Sequence, residues 1–194
     1  MTLARGTCHY EIRRGGEIVA FEEETFAENR IVGVRRPAQR LDHYEVEADL
    51  NADGTIRRVA VRYSRGPFVR NATYEAGDDF LRGNVSALAG RNVITTKLGR
   101  YREIDADLVI FRALTIAHIR ARGQARWTGR VAAIDSNTLV ASTNKQSCRR
   151  ADDDPHKWVY EPRMGDVEEI EIDDEGIVVV RRDHRGMVAR LVRD

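Results

Sequence analysis

Residues 43–63 constrain the chain more than any other stretch. Tyr44, Val46, Ala48 and Leu50 alternate with His43, Glu45, Glu47 and Asp49, which is the period of two that a strand with one buried face requires. Asn51-Ala52-Asp53-Gly54 then supplies turn residues, and Val59, Val61 and Tyr63 resume the alternation on the way back. The same grammar recurs along most of the chain. Cys8, Tyr10 and Ile12 alternate ahead of Gly15-Gly16, whose residues take the positive φ of a tight hairpin turn, and a return strand runs from Glu17 to about Phe26. Asn29 to Gln39, with Gly33 and Pro37, reads as a less regular edge or connection. A strand begins at Phe68 and runs to Glu75. Turns at Gly77-Asp78-Asp79 and Ala89-Gly90-Arg91-Asn92 enclose strands near 80–86 and 92–98.

A second kind of pattern interrupts this grammar once, over residues 107–122. Ile110, Ala113, Leu114, Ala117 and Ala121 fall at helical spacing, with Leu108, Phe111 and Ile119 adding apolar surface on other sides. Asp105 or Asp107 is the expected N-cap, and Gly123 stands where a left-handed terminating residue belongs. A helix this apolar must be covered on more than one face, inside a curved sheet or under a neighbouring subunit. The many β-branched residues in the stretch, Val109 to Ile119, leave a strand as the competing reading.

After Gly123 the strands return. Trp127, Gly129, Val131 and Ala133 share a face, Asp135-Ser136-Asn137 turns, and Thr138 to Arg149 makes a long strand. Asp152 to Pro155 reads as a loop and Lys157 to Glu161 as a short strand. Val167 to Ile172 and Ile177 to Arg182 form a hairpin on Asp173-Asp174-Glu175-Gly176, and Met187 to Val192 closes the series. About ten or more short strands with one helix imply a mainly β chain whose antiparallel sheet is strongly curved into a barrel or half-barrel, since flat sheets of that size are unusual.

The 194 residues are read as a single domain, long enough to bury its core without disulfides or metals. Lys and Arg number 32 against 31 Asp and Glu, which removes the broad electrostatic motive for binding nucleic acid. No stretch approaches the run of about 20 apolar residues that spans a bilayer. The opening residues lack the apolar core of a secretory signal, so a cytoplasmic location is expected, with the periplasm as the alternative if a signal was removed. Cys8 and Cys148 are expected reduced.

In element order, with Asp107-Leu108-Val109-Ile110-Phe111-Arg112-Ala113-Leu114 as a mid-chain helix, Gly123 after it and a late Asp-Asp-Glu-Gly hairpin, the chain resembles uncharacterised bacterial β-rich proteins. These are in turn similar to the outer-membrane lipoprotein carriers. The resemblance implies a calycin-like or lipocalin-like incomplete barrel whose helix closes a hydrophobic cavity.

Among side chains suited to chemistry, His118 flanks the apolar stripe of the helix beside Phe111. There it would serve as a general acid or base, with Tyr74 or Arg70 stabilising developing negative charge. The bland alternative is a half-buried histidine bonded to a nearby carbonyl. Arg70 shares a strand face with Tyr74, and its exposure depends on which face turns inward. Gln146 and Cys148 share one face of a strand that is apolar on neither side, as in an edge strand or the wall of a polar pocket. Trp127, Trp158 and Tyr160 read as core or as an aromatic platform for a ligand. The row His43, Glu45, Glu47 and Asp49 is read as solvent-facing and not as a metal site, and no nucleotide, flavin or metalloprotease signature is present.

Three functions fit these features. The first is binding of a hydrophobic or aromatic small molecule in a barrel cavity by Phe111, Trp127, Gln146, Cys148, Trp158 and Tyr160. The second is a cofactor-independent lyase, isomerase or hydrolase using His118. The third is an assembly role as a homodimer with the helix buried between subunits. None of them calls for a cofactor or a metal.

Overall fold

A computed structural model describes residues 5–87, 90–100, 102–151 and 154–193. The turn expected at 89–92 and the loop expected at 152–155 fall partly outside the described residues. Before the helix run β1 (Gly6–Arg14), β2 (Glu17–Ala27), β3 (Arg30–Pro37), β4 (Asp42–Leu50), β5 (Ile56–Arg65), β6 (Phe68–Ala76), β7 (Phe80–Ala87), β8 (Gly90–Lys97) and the short β9 (Ile104–Asp105). The helix α1 (Val109–Ala121) follows. After it come β10 (Arg126–Ile134), β11 (Ala141–Ala151), β12 (Asp154–Arg163), β13 (Asp166–Ile172), β14 (Val178–Asp183) and β15 (Met187–Val192).

All fifteen strands belong to one sheet, ordered β8-β7-β6-β5-β4-β3-β2-β1-β15-β14-β13-β12-β11-β10-β9. Sequence neighbours are sheet neighbours almost throughout. The first and last strands pair antiparallel, Tyr10 opposite Leu191 and Ile12 opposite Ala189, and this joins the two runs of strands on either side of the helix. Among the described residues only β9 lies parallel to its partner, β10. Residues 30–37, expected as an irregular edge, form a regular central strand instead. β3 is laddered on both sides, and Gly33 permits the close approach of Leu108, whose Cδ1 would sit 2.3 Å from an added Cβ.

The sheet curls but does not close by a backbone ladder. Its ends meet through side chains: the Thr143 hydroxyl donates to the Lys97 carbonyl at 2.7 Å, leaving the Thr96 hydroxyl to donate to Thr143 at 2.8 Å. Tyr74 from β6 stitches the same seam. Its hydroxyl donates to the Leu139 carbonyl (2.6 Å) and accepts from the Ala141 amide (3.1 Å). Position 99 is glycine because an added Cβ would lie 2.2 Å from the Arg130 carbonyl oxygen.

The helix lies inside this curl. Val109, Leu108 and Ile119 have no exposure, and Phe111, Leu114 and Ile116 next to none, so it is covered on all sides as its apolar girth requires. Gly123 ends it with φ +65°, as expected. The N-terminus departs from expectation. Leu108 is the N-cap residue and makes no side-chain cap bond, while Asp105 and Asp107 face elsewhere. The cap comes from the sheet: Glu22 accepts from the Val109 amide at 2.6 Å and Glu24 from the Ile110 amide at 2.7 Å. Two carboxyls on one strand thereby satisfy amides that a buried helix end would otherwise leave bare.

The outer face of β4 carries cross-strand ion pairs where the acidic row was read as solvent-facing. Glu47 meets Arg30 at 2.8 Å, and Asp49 and Glu45 lie within 3.8 Å of arginines on β5. Among the described residues no helix is long and apolar enough to cross a membrane, and no group of three or more His, Cys, Asp or Glu is placed to hold a metal.

Candidate functional site

The N-terminus of α1 faces a cavity of about 520 Å³ at one end of the barrel. Its walls come from β1–β3 and β10–β15. Ile12, Val19, Ala20, Met187 and Ala189 form an apolar side, and Ser142, Asn144 and Gln146 line the polar side along β11. Five arginines (35, 112, 163, 181 and 185) face six carboxylates (Asp105, Asp107, Asp135, Asp166, Glu168 and Asp183). The lining therefore departs from the apolar or aromatic cavity expected from the sequence. The lining is mixed: the apolar patch on β1, β2 and β15 faces the charged and amide groups of α1, β11, β13 and β14.

Arg112 organises the floor. It projects from the first turns of α1 and is 2% exposed, so its charge needs partners inside the protein. Its Nε and Nη2 donate to Glu168 at 2.9 and 3.2 Å. Nη1 lies 2.6 Å from an Asp105 oxygen, an ion contact whose N–H is not aligned for a hydrogen bond. The guanidinium also stacks over the Tyr160 ring, 4.6 Å from its centre. Arg181 closes the other side of Glu168 with bonds of 3.0 and 2.7 Å. Burial works to raise the Glu168 carboxyl, but the guanidiniums of Arg112 and Arg181 overcome it and hold it at about 2.

A second cluster adjoins it. Arg35 donates to Glu22 at 2.7 Å and to an Asp107 carboxylate oxygen at 3.1 Å, and it bonds the Asp107 carbonyl as well. Asp107 holds φ +60°, a left-handed turn stabilised by its amide donating to Asp105 at 2.9 Å. The two capping carboxyls divide their protonation. Burial raises Glu24, and the Glu22 charge beside it raises it further. Burial also works to raise Glu22, yet Arg35 and its hydrogen bonds bring it below the ordinary value. The two neighbouring carboxyls are thus shifted in opposite directions, Glu24 towards the protonated form and Glu22 towards the ionised one.

Of the residues proposed from sequence, Gln146 lines the cavity, and Tyr160 lies behind it with its hydroxyl donating to the Gln146 side-chain oxygen. Burial keeps the Tyr160 phenol neutral by pushing it well above its ordinary range. Cys148 is buried next along β11, and burial pushes its thiol up to about 12, which leaves little thiolate at neutral pH. Phe111, Trp127 and Trp158 are core. His118, Tyr74 and Arg70 do not converge. His118 is buried further along the helix, its Nδ1 3.0 Å from Glu103. Tyr74 is used in the seam, and the exposed Arg70 donates to the Asn137 carbonyl at 2.6 Å.

No family model and no curated protein matches the chain. Solved structures do. A DUF1089-family protein from Pseudomonas aeruginosa superposes with a TM-score of 0.62 at 16% identity, over 92% of each chain. A β-barrel-like protein of domain of unknown function DUF1849 from Brucella abortus gives 0.51 at 13% identity, over 98% of this chain and 97% of its own. The fold is thus shared. Both neighbours are bacterial β-rich proteins of unknown function, as the resemblance implied, and they lend no support to its narrower link with the lipoprotein carriers. At these identities the likeness establishes the architecture and leaves the chemistry to the site itself.

The sequence reading missed Glu22, Glu24, Arg35, Arg112, Glu168 and Arg181. Asp105 and Asp107 stand where ordinary N-cap residues belong, so nothing local to the helix signals that its first amides are met by carboxyls from β2.

Proposed function

We propose that this protein binds a small polar molecule in the cavity at the N-terminal end of α1. The observation that carries the reading is the character of the lining: buried Arg112 and Glu168, with Asn144 and Gln146 beside them, border open space at this end of the barrel. A cavity near 520 Å³ falls in the range of small-molecule sites, which run from about 300 to 1,000 Å³. Arginines and carboxylates nearly balance there and largely neutralise one another. The favoured ligand therefore carries both hydrogen-bond donors and acceptors with little net charge, and an apolar part that meets Ile12, Met187 and Ala189. Such a ligand would exchange bonds with Asn144, Gln146 and the rim without having to break the Arg112–Glu168 pair.

Native mass spectrometry of the freshly purified full chain tests this. A retained small-molecule mass is expected, and it should be absent from Asn144→Trp, which fills the cavity from β11. The absence of any retained mass, together with no shift in thermal unfolding across a panel of sugars, amino acids and polyols, would count against the reading. So would equal retention by Asn144→Trp.

A further inference from the structure

Three consecutive hairpins, β1–β2, β3–β4 and β5–β6, place their tips side by side at the cavity end of the barrel. Ala20 on β2 pairs with Pro37 on β3, and Asp42 on β4 pairs with Arg65 on β5. Exposed on these tips and their flanks are Arg14, Arg36, Arg40, Arg65 and Arg70, with Glu17 as the exposed acid among them. Asp42 is buried, and its carboxylate is taken by Tyr63 and Arg65. Arg14, Arg36 and Arg40 form no ion pair among the described residues. Between these charges stand two large apolar side chains, Leu41 at 83% exposure and Phe68 at 59%.

The opposite end is different. Every charged residue within the turns 28–29, 51–55, 77–79 and 173–177 is acidic, and Arg5 and Arg193 there pair with Glu28 and Asp173; the exposed Arg126, Arg149 and Arg150 stand apart from these turns, on the ends of β10 and β11. Of its large exposed apolar residues among the described residues, Phe80 follows Asp78 and Asp79, and Val192 lies beside the acidic 173–177 turn. The near-zero net charge thus conceals a basic cluster on the tips of β1–β2, β3–β4 and β5–β6 and acidic turns between the same strands at their other ends. Unpaired arginines around protruding apolar side chains match a surface that is anionic above and apolar beneath, whereas a polyanion such as DNA offers no reason for Leu41 and Phe68 to be exposed.

We propose that these three hairpin tips dock the protein on an anionic lipid bilayer, with Leu41 and Phe68 entering the interface and Arg14, Arg36, Arg40 and Arg65 on the headgroups. Met164, 97% exposed on the β12–β13 turn across the cavity mouth, adds a further contact. The cavity then opens towards the lipid surface. The proposal does not depend on what the cavity holds.

Flotation of the full chain with phosphatidylcholine vesicles, with and without phosphatidylglycerol, tests it. Binding is expected to the anionic vesicles at low ionic strength and to fall as salt rises. Leu41→Ser with Phe68→Ser should weaken it by roughly tenfold or more. Arg36→Glu with Arg40→Glu should do likewise. All four residues lie outside the cavity lining, and circular dichroism checks that each variant is folded. Equal binding to neutral and anionic vesicles, or none to either, would overturn the proposal. It would also be overturned by anionic binding that survives the serine substitutions and is competed away by duplex DNA, or by self-association through these tips in light scattering.

Discussion

The half of the sheet from β4 to β8 and the half from β11 through β15 to β3 obey the same alternation, yet their inner faces differ. On β4–β7 the inward residues are Tyr44, Val46, Ala48, Val59, Val61, Ala72, Tyr74 and Leu81, nearly all without exposure. The inner face of the other half carries Gln146, Glu168, Arg181, Glu22, Glu24 and Arg35 among its apolar residues. Backbone geometry cannot account for this, since both halves are antiparallel meanders of similar strand length. What separates them is the N-terminal end of α1 and Arg112, which lie against the second half. Once a helix end and a guanidinium are buried there, the surrounding strands must supply carboxylates, and the carboxylates recruit further arginines. One half packs by shape and the other by matched charge, and matched charge fills space less completely.

The contrast breaks most visibly at Arg112. Arg112→Ala would leave Glu168 and Asp105 buried beside one remaining arginine, at a cost of about 3–5 kcal/mol, read in urea unfolding. Replacing Arg112, Glu168 and Asp105 together by Met and Leu should recover much of that loss, because the penalty belongs to the unpaired charges. A loss left unrecovered would place the importance of Arg112 elsewhere.

A smaller effect is expected in the packed half. Tyr74→Phe removes one hydroxyl that bridges Leu139 and Ala141 across the seam, and about 1–3 kcal/mol should go with it in the same measurement. Hydrogen exchange at the Ala141 amide should quicken more than at the core of β4. Unchanged exchange there would mean that the seam is held by other contacts.

The smallest effect separates the two capping carboxyls by sign. Glu24 titrates above its ordinary 4.5 in the folded protein, so the unfolded chain releases that proton first. Stability from this group is therefore present below 4.5 and lost as pH rises towards the folded value. Glu24→Gln, which keeps an oxygen for the Ile110 amide, should flatten this decline and be at least as stable as the parent at neutral pH. Glu22 is lowered, and its contribution is present above 4.5 and lost on acidification. Glu22→Gln should accordingly destabilise at neutral pH by weakening the Arg35 pair. Urea titrations over a pH series distinguish the two, and like behaviour would refute the opposite shifts of the two carboxyls.

The packed half was the legible one. Tyr44 to Leu50 and Val59 to Tyr63 announced their inward face by hydropathy alone, and Gly54 and Gly123 announced a turn and a helix end because only a positive φ fits there. The polar half hid itself. In β2 Phe21 is exposed while Glu22 and Glu24 are buried, the reverse of what hydropathy suggests, because the helix amides outbid the solvent for those carboxyls. His118 drew attention as the titratable group on the helix, whereas Arg112, two turns earlier, stands at the cavity. Nothing local to either residue tells them apart. The distinction depends on which end of the helix meets Glu168, and that is a matter of how the sheet curls.

The same substitution made once in each half tests the central claim most directly. Ala72 is buried on the inner face of β6, and Ala133 on β10 borders the cavity. Thermal unfolding of Ala72→Phe should show a severe loss, since overpacking a filled core costs about 1–3 kcal/mol or more, while Ala133→Phe should unfold within a few degrees of the parent because its ring enters open space. Equal losses at both sites would contradict the account, since the polar half would then be as full as the apolar one.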